Sequence, residues 1–196
     1  MPVDLLWAGP ERAVATLVLG HGAGAAMDSA GMNDLAAALA SRGIRTARFE
    51  FGYMAGRRTG VRKPPPRADT LVGEYRAAVE AVGGLPFIGG RSMGGRVATM
   101  VADELGVPGA VCFGYPFHPP AKPQQLRTAH LEQLRTPLLI CQGTRDEFGT
   151  RDEVATYALS PTIEIDWVEG ANHGLSTKKA LAEAADAAAG WLSRAR

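Results

Sequence analysis

Phe87-Ile88-Gly89-Gly90-Arg91-Ser92-Met93-Gly94-Gly95 is a short apolar run that ends in a glycine-bracketed serine. The residues that follow, Met93, Val97, Met100, Val101 and Leu105, recur at helical spacing. A strand that turns sharply into a helix around a serine puts that serine on a strained backbone, so its neighbours two before and two after must lack bulk. Gly90, Gly94 and Gly95 meet that demand. Such a turn lifts Ser92 Oγ clear of a sheet and aims the unpaired N–H groups of a helix N-terminus at any oxyanion forming beside it. Ser92 is therefore the candidate nucleophile and the Met93 amide a candidate oxyanion donor. The bland alternative is an ordinary tight β–α turn in a chain with 24 glycines. The rest of the sequence weighs against it.

On either side of this stretch, short apolar runs alternate with helical patterns. Runs at residues 15–19, 44–49, 85–88, 110–113, 138–141 and 163–168 are bounded by Gly or Pro, as strands are. Two of them, 44–49 and 163–168, alternate polar and apolar residues and are expected near a sheet edge. Helical spacing links Met32, Leu35 and Leu39, then Leu71, Tyr75, Val79 and Val82, and finally Leu181, Ala185, Ala188 and Leu192. Strand and helix in this alternation specify an α/β fold, a doubly wound, mostly parallel sheet flanked by helices. Residues 1–196 are expected to form a single domain. Two stretches break the alternation. Residues 52–67 carry Arg57, Arg58, Arg62, Lys63 and Arg67 with no acid, and residues 115–123 are Pro-rich and contain His118. Long irregular segments in a compact domain are usually functional or disordered.

A serine needs a base, and the base needs an orienting acid. Gln142-Gly143-Thr144-Arg145-Asp146-Glu147 follows the apolar run ending at Cys141, and Gly170-Ala171-Asn172-His173-Gly174 follows the run ending at Val168. Serine, acid and histidine thus each leave a strand at the same edge, where open parallel sheets build their sites. Asp146 is preferred as the acid over Glu147 and Asp152 because it lies nearer its strand end. His173 is preferred as the base over His118 and His130, which follow no strand in the required order. Leu19-Gly20-His21-Gly22-Ala23-Gly24 follows the first long run and offers the Ala23 amide as the second oxyanion donor. As a dinucleotide loop it lacks the G-x-G-x-x-G spacing.

Composition narrows the field further. The chain has 196 residues, 46% of them hydrophobic and 21% charged, values typical of globular proteins. A net charge of +1 supplies no field to hold nucleic acid or an anionic membrane. No apolar run approaches the ~20 residues a membrane span requires, and the first ten residues do not read as a signal peptide. Cys112 and Cys141 sit in apolar runs and are expected as buried free thiols, with a disulfide between them left open. A cytoplasmic location is the expectation. The four dispersed histidines and two isolated cysteines make no metal site, and no phosphate-binding G-x-x-x-x-G-K-[ST] is present. No cofactor is expected.

The set His21-Gly22-Ala23-Gly24, Phe49-Glu50-Phe51-Gly52-Tyr53-Met54, Gly90-Arg91-Ser92-Met93-Gly94-Gly95 and Gly143-Thr144-Arg145-Asp146 resembles the α/β-hydrolase superfamily. Lid-poor, dienelactone-hydrolase-like members are the nearest broad relatives. Within that superfamily the set looks like a group of mostly uncharacterised bacterial hydrolases, itself similar to the hydrolase-like domain of a eukaryotic chromatin-complex subunit. The resemblance spans roughly residues 14 to 192. It implies a minimal α/β-hydrolase fold without a large lid, with Ser92 as nucleophile, Asp146 as acid, His173 as base, and Ala23 and Met93 as oxyanion donors. Dienelactone hydrolases proper carry Cys where this chain has Ser92. The activity implied is hydrolysis of an ester or thioester of a small acyl substrate through an acyl-enzyme. Substrate contacts are expected from His21, Gly22, Tyr53, Met54, Arg57, Arg58 and His118. The basic stretch 52–67 is a candidate guide for a carboxylate- or phosphate-bearing substrate and equally reads as a solvated charged loop. The alternative function is a non-catalytic module of the same fold that docks an acidic partner through that stretch. Oligomeric state is not legible.

Overall fold

The computed structural model describes residues 3–58, 60 and 64–195, with the Arg58 side chain outside the description. Six strands run parallel: β2 (Ala15–Gly20), β3 (Ile44–Phe49), β4 (Phe87–Arg91), β5 (Ala110–Phe113), β6 (Leu138–Gly143) and β7 (Ile163–Val168). A short strand, β1 (Leu6–Ala8), pairs antiparallel with β3 and completes a seven-stranded sheet in the order β1-β3-β2-β4-β5-β6-β7. The sequence carries no periodic signal for β1, since three residues are too few to alternate. The strand lies against β3, where the Arg45 guanidinium stacks 4.3 Å from the Trp7 ring. Consequently β3, expected near an edge, is second from it, whereas β7 is an edge strand.

The central strands are continuous apolar runs because both of their faces are covered. On one face lie α3 (Val72–Val82) and α4 (Met93–Leu105), packing Tyr75, Val97 and Val101 against Val18, Ile88, Cys112 and Ile140. On the other lie α1 (Ala30–Ala40) and α6 (Lys178–Arg194), packing Leu35, Ala184 and Trp191 against Leu17, Phe113, Leu139 and Cys141. The strand register pairs Cys112 with Ile140 and Phe113 with Cys141. Neighbouring register positions point to opposite sides of a sheet, so the two thiols face different cores. Both are buried and free, and the disulfide left open by the sequence does not form.

Two expected boundaries move. The run at 85–88 becomes a strand at Phe87–Arg91: Leu85 is 71% exposed, Pro86 has no N–H to donate, and the buried glycines Gly89 and Gly90 carry the strand onward. The first part of the basic stretch is not irregular but forms α2 (Gly52–Arg58), and a 3-10 turn (Ala68–Leu71) leads into α3. Arg62 and Lys63 lie outside the described residues. One further short helix, α5 (Arg151–Val154), is closed by a capping box between Thr150 and Glu153.

Candidate active site

The strand order reverses between β2 and β4: β2 is followed in sequence by its neighbour on one side, β3, and β4 lies on its other side. Ligands of open α/β sheets bind at such a switch point, beyond the carboxyl ends of the strands. The loops after β2, β4, β6 and β7 all open there, and they carry Ala23, Ser92, Asp146 and His173 respectively.

Ser92 sits between β4 and α4 at φ 50° and ψ −115°, a left-handed conformation that side chains rarely adopt. What permits it is the lack of bulk beside it. A Cβ on Gly90 would stand 2.5 Å from the Gly94 carbonyl carbon and 2.6 Å from Gly20 O, and a Cβ on Gly94 would collide with the Gly20 carbonyl. The turn is further tied by the Ser92 N–H, which donates to Phe113 O at 3.1 Å. From the buried side, the Tyr75 hydroxyl accepts the Gly89 N–H at 2.9 Å and donates toward Val18 O, bracing β4 just ahead of the turn.

Three side chains meet across this edge. His173 Nε2 lies 2.8 Å from Ser92 Oγ, and His173 Nδ1 lies 2.8 Å from Asp146 Oδ2. An ionised carboxylate only accepts, so Nδ1 carries the ring proton and Nε2 faces the serine as an acceptor. Asp146 is fully buried, yet each of its oxygens is served: Oδ1 accepts the Phe148 N–H at 2.8 Å, and Oδ2 also accepts from Gln142 Nε2 at 2.8 Å. Gln142 is held in turn by the Tyr115 N–H, which donates to its Oε1 at 2.7 Å. Phe148 stacks on the imidazole, ring centroids 4.0 Å apart. Neither Glu147 nor Asp152 takes part in these contacts. His130 lies elsewhere, its Nε2 donating to Thr99 Oγ1 at 2.9 Å, with burial and the Arg96 charge holding it down at about 4.

Ala23 and Met93 border the same cleft as Ser92. Among the described residues neither N–H has a protein acceptor, and Met93 opens α4, where N–H groups are unpaired by geometry. The Ala23 peptide is held by the Tyr53 hydroxyl, which donates to Ala23 O at 3.1 Å.

A model of the alpha/beta hydrolase domain family matches residues 13–192. The chain belongs to that family. Solved structures similar to it include a monoacylglycerol lipase from Paleococcus ferrophilus, at 17% identity with a TM-score of 0.75 and all of both chains covered. A dienelactone hydrolase from Anabaena variabilis aligns at 18% identity and TM-score 0.73, with 99% of each chain covered. A lid-less α/β serine hydrolase from Xanthomonas campestris aligns at 18% identity and TM-score 0.69, over 98% of this chain and 87% of that one. At these identities the likeness is one of fold. This α/β-hydrolase domain is dienelactone-hydrolase-like in architecture and has no large lid.

Several residues expected to touch substrate occupy other positions in this α/β-hydrolase domain. His21 is fully buried, its Nδ1 donating to Gly22 O at 2.8 Å and its Nε2 accepting the Phe51 N–H at 3.1 Å, so it joins the loops after β2 and β3 rather than facing a ligand. Met54 is 3% exposed and belongs to the core. His118 is buried, with Nδ1 donating to Pro119 O at 2.9 Å and Glu153 3.6 Å away. Its loop folds inward because Tyr115 and Phe117 are core residues. Tyr53 acts on the loop carrying Ala23, as does Arg57, whose Nη1 donates to Gly24 O at 3.5 Å. Gly22 borders a cleft beside Ser92.

That cleft is one of two that share Ser92. The larger, about 540 Å³, also holds Ala23, Met93, Arg96, Arg127 and Phe148. The smaller, about 390 Å³, is lined by small and apolar residues with Arg91, and His173 forms part of its wall. Sequence reasoning missed Gln142, Phe148, Arg96 and Arg127. Gln142 left one signal, a polar amide closing the apolar run Leu138–Cys141. The others are brought in only by folding. Among the described residues no group of His, Cys, Asp and Glu is placed to hold a metal ion, and no helix is long and apolar enough to cross a membrane.

Proposed function

We propose that the chain acts as one serine hydrolase unit, cleaving an ester or thioester of a small acyl substrate through a Ser92–His173–Asp146 triad. The observation that carries this reading is the unbroken hydrogen-bond chain from Ser92 Oγ through His173 to Asp146, both links 2.8 Å long. His173 Nε2 takes the Ser92 proton as Oγ attacks the carbonyl carbon, and the Ala23 and Met93 amides receive the oxyanion. Asp146 stays ionised, fixing the ring tautomer and stabilising the imidazolium. His173 then protonates the leaving group. Water, deprotonated by His173, attacks the acyl-enzyme and releases the acid. The strained Ser92 backbone supports the same reading, since a conformation costing on the order of 1–3 kcal/mol persists where surrounding structure enforces it for a purpose.

The test is labelling of the purified protein with a fluorophosphonate and turnover of short p-nitrophenyl esters. Ser92→Ala is expected to abolish labelling and to lower turnover by about 10⁴-fold or more, as when one member of a cooperating triad is removed. Labelling that persists unchanged in that variant overturns the assignment of the nucleophile.

A further inference from the structure

The larger cleft beside Ser92 holds more positive charge than its own residues neutralise. Arg67, Arg96 and Arg127 border it, and Asp69 is the one carboxylate among its lining residues. Arg67 and Asp69 satisfy each other through two contacts of 3.2 and 2.9 Å. Arg96 and Arg127 have no such partner. Among the described residues neither guanidinium enters an ion pair or hydrogen bond, and Arg96 Nε is buried without any acceptor. The two are close enough to oppose each other's charge: after burial, Arg96 is the main influence disfavouring the charged form of Arg127. Both arginines are half-buried, and an anion bound between two like charges offsets their repulsion. Arginine's planar fork of donors matches a carboxylate, and two arginines border this one cleft. By contrast Arg91, in the smaller cleft, is already engaged, its Nη1 donating to Gly31 O at 2.9 Å with Asp34 nearby.

Position connects this pair to the chemistry. Arg96 follows Ser92 by four residues, its N–H donating to Ser92 O at 3.0 Å, so it stands one turn along the same face of α4. Helical side chains lean toward the N-terminus, which tilts Arg96 toward the serine end. Of the two clefts that meet at Ser92, His173 borders the smaller. The group that His173 protonates must leave on its side, which puts the alcohol in the smaller, mostly apolar cleft and the acyl chain in the larger one.

Building on the hydrolase reading above, we propose that the substrate is a half-ester of a dicarboxylic acid, its free carboxylate bound by Arg96 and Arg127 and its small apolar alcohol lodged in the smaller cleft. Hydrolysis consumes one water and releases the alcohol and the dicarboxylate.

Monoethyl adipate and ethyl hexanoate differ only in the terminal group of the acyl chain, so the ratio of their kcat/KM values, followed by chromatography of the released acid, isolates the carboxylate. The ratio is expected to exceed about tenfold in the unsubstituted protein, a charge-assisted hydrogen-bond pair being worth roughly 10–100-fold. It is expected to fall toward one in the Arg96→Gln/Arg127→Gln protein. Arg96→Lys, which keeps the charge but not the fork, is expected to fall between. Calorimetric titration of the same proteins with adipate gives a readout that does not need turnover. Ethyl hexanoate hydrolysed as well as monoethyl adipate overturns this inference and leaves the hydrolase reading intact. If no ester is hydrolysed, the hydrolase reading fails. Adipate binding that vanishes in the double variant then still supports the anion site, and absence of adipate binding overturns it.

Discussion

Ser92 and the two side chains that meet it show how few atoms the proposed chemistry would need. Asp146 is fully buried, and three donors reach its two oxygens: the Phe148 amide, Gln142 and His173 itself. Gln142 is thus a positioning residue. Gln142→Leu removes one of those donors and leaves the buried Tyr115 N–H without its acceptor, each such loss costing about 1–3 kcal/mol. If the triad proposed above acts, the expected result is a lower kcat per folded molecule with KM little changed. A purely structural residue would lower the melting temperature and leave kcat per folded molecule in place. The meeting of Ser92, Asp146 and His173 was legible in the sequence because each leaves a strand end, and strand ends can be read from apolar runs. Gln142, Phe148, Arg96 and Arg127 were not, since their roles depend on which loops fold toward each other. The same blindness misplaced His21, Met54 and His118: proximity to a motif in sequence says nothing of whether a side chain turns inward.

The turn between β4 and α4 depends on absent side chains as much as on present ones. Gly94→Ala forces a Cβ against the Gly20 carbonyl, where backbone rather than a flexible side chain must yield. A loss of about 1–3 kcal/mol or more is expected in urea denaturation, with esterase activity reduced beyond what the residual folded fraction explains. Tyr75→Phe tests the brace from the other side. It strips the Gly89 N–H of a buried acceptor, and about 1–3 kcal/mol of stability should go with it. The central strands and the four long helices could be read from period and punctuation. The β1 strand could not, being shorter than one alternation. The helix at Gly52–Arg58 was hidden for another reason: two glycines and two arginines in seven residues have neither helical apolar spacing nor strong propensity, and its place is set by contacts with the loop after β2.

Acid sensitivity belongs to the assembled molecule. His130 is half-buried against Thr99, where burial and the Arg96 charge lower its pKa to about 4 against an ordinary value of 6.5. Between those two values the unfolded chain binds a proton that the folded chain refuses, so stability falls as pH drops through that window and is fully present above 6.5. Melting temperatures measured at pH 7 and pH 4.5 should therefore diverge more in the unsubstituted protein than in His130→Gln. Equal losses in the two proteins would contradict the assignment. Cys112 and Cys141, set into opposite cores, lend themselves to a different use. Burial pushes both thiols up and hides them from reagents, so neither should react until its own face of the sheet opens. Under native conditions an alkylating agent then becomes a clock. Modification of both sulfurs in step would report opening of the whole sheet, and a faster first sulfur would reveal which helical layer peels away before the other.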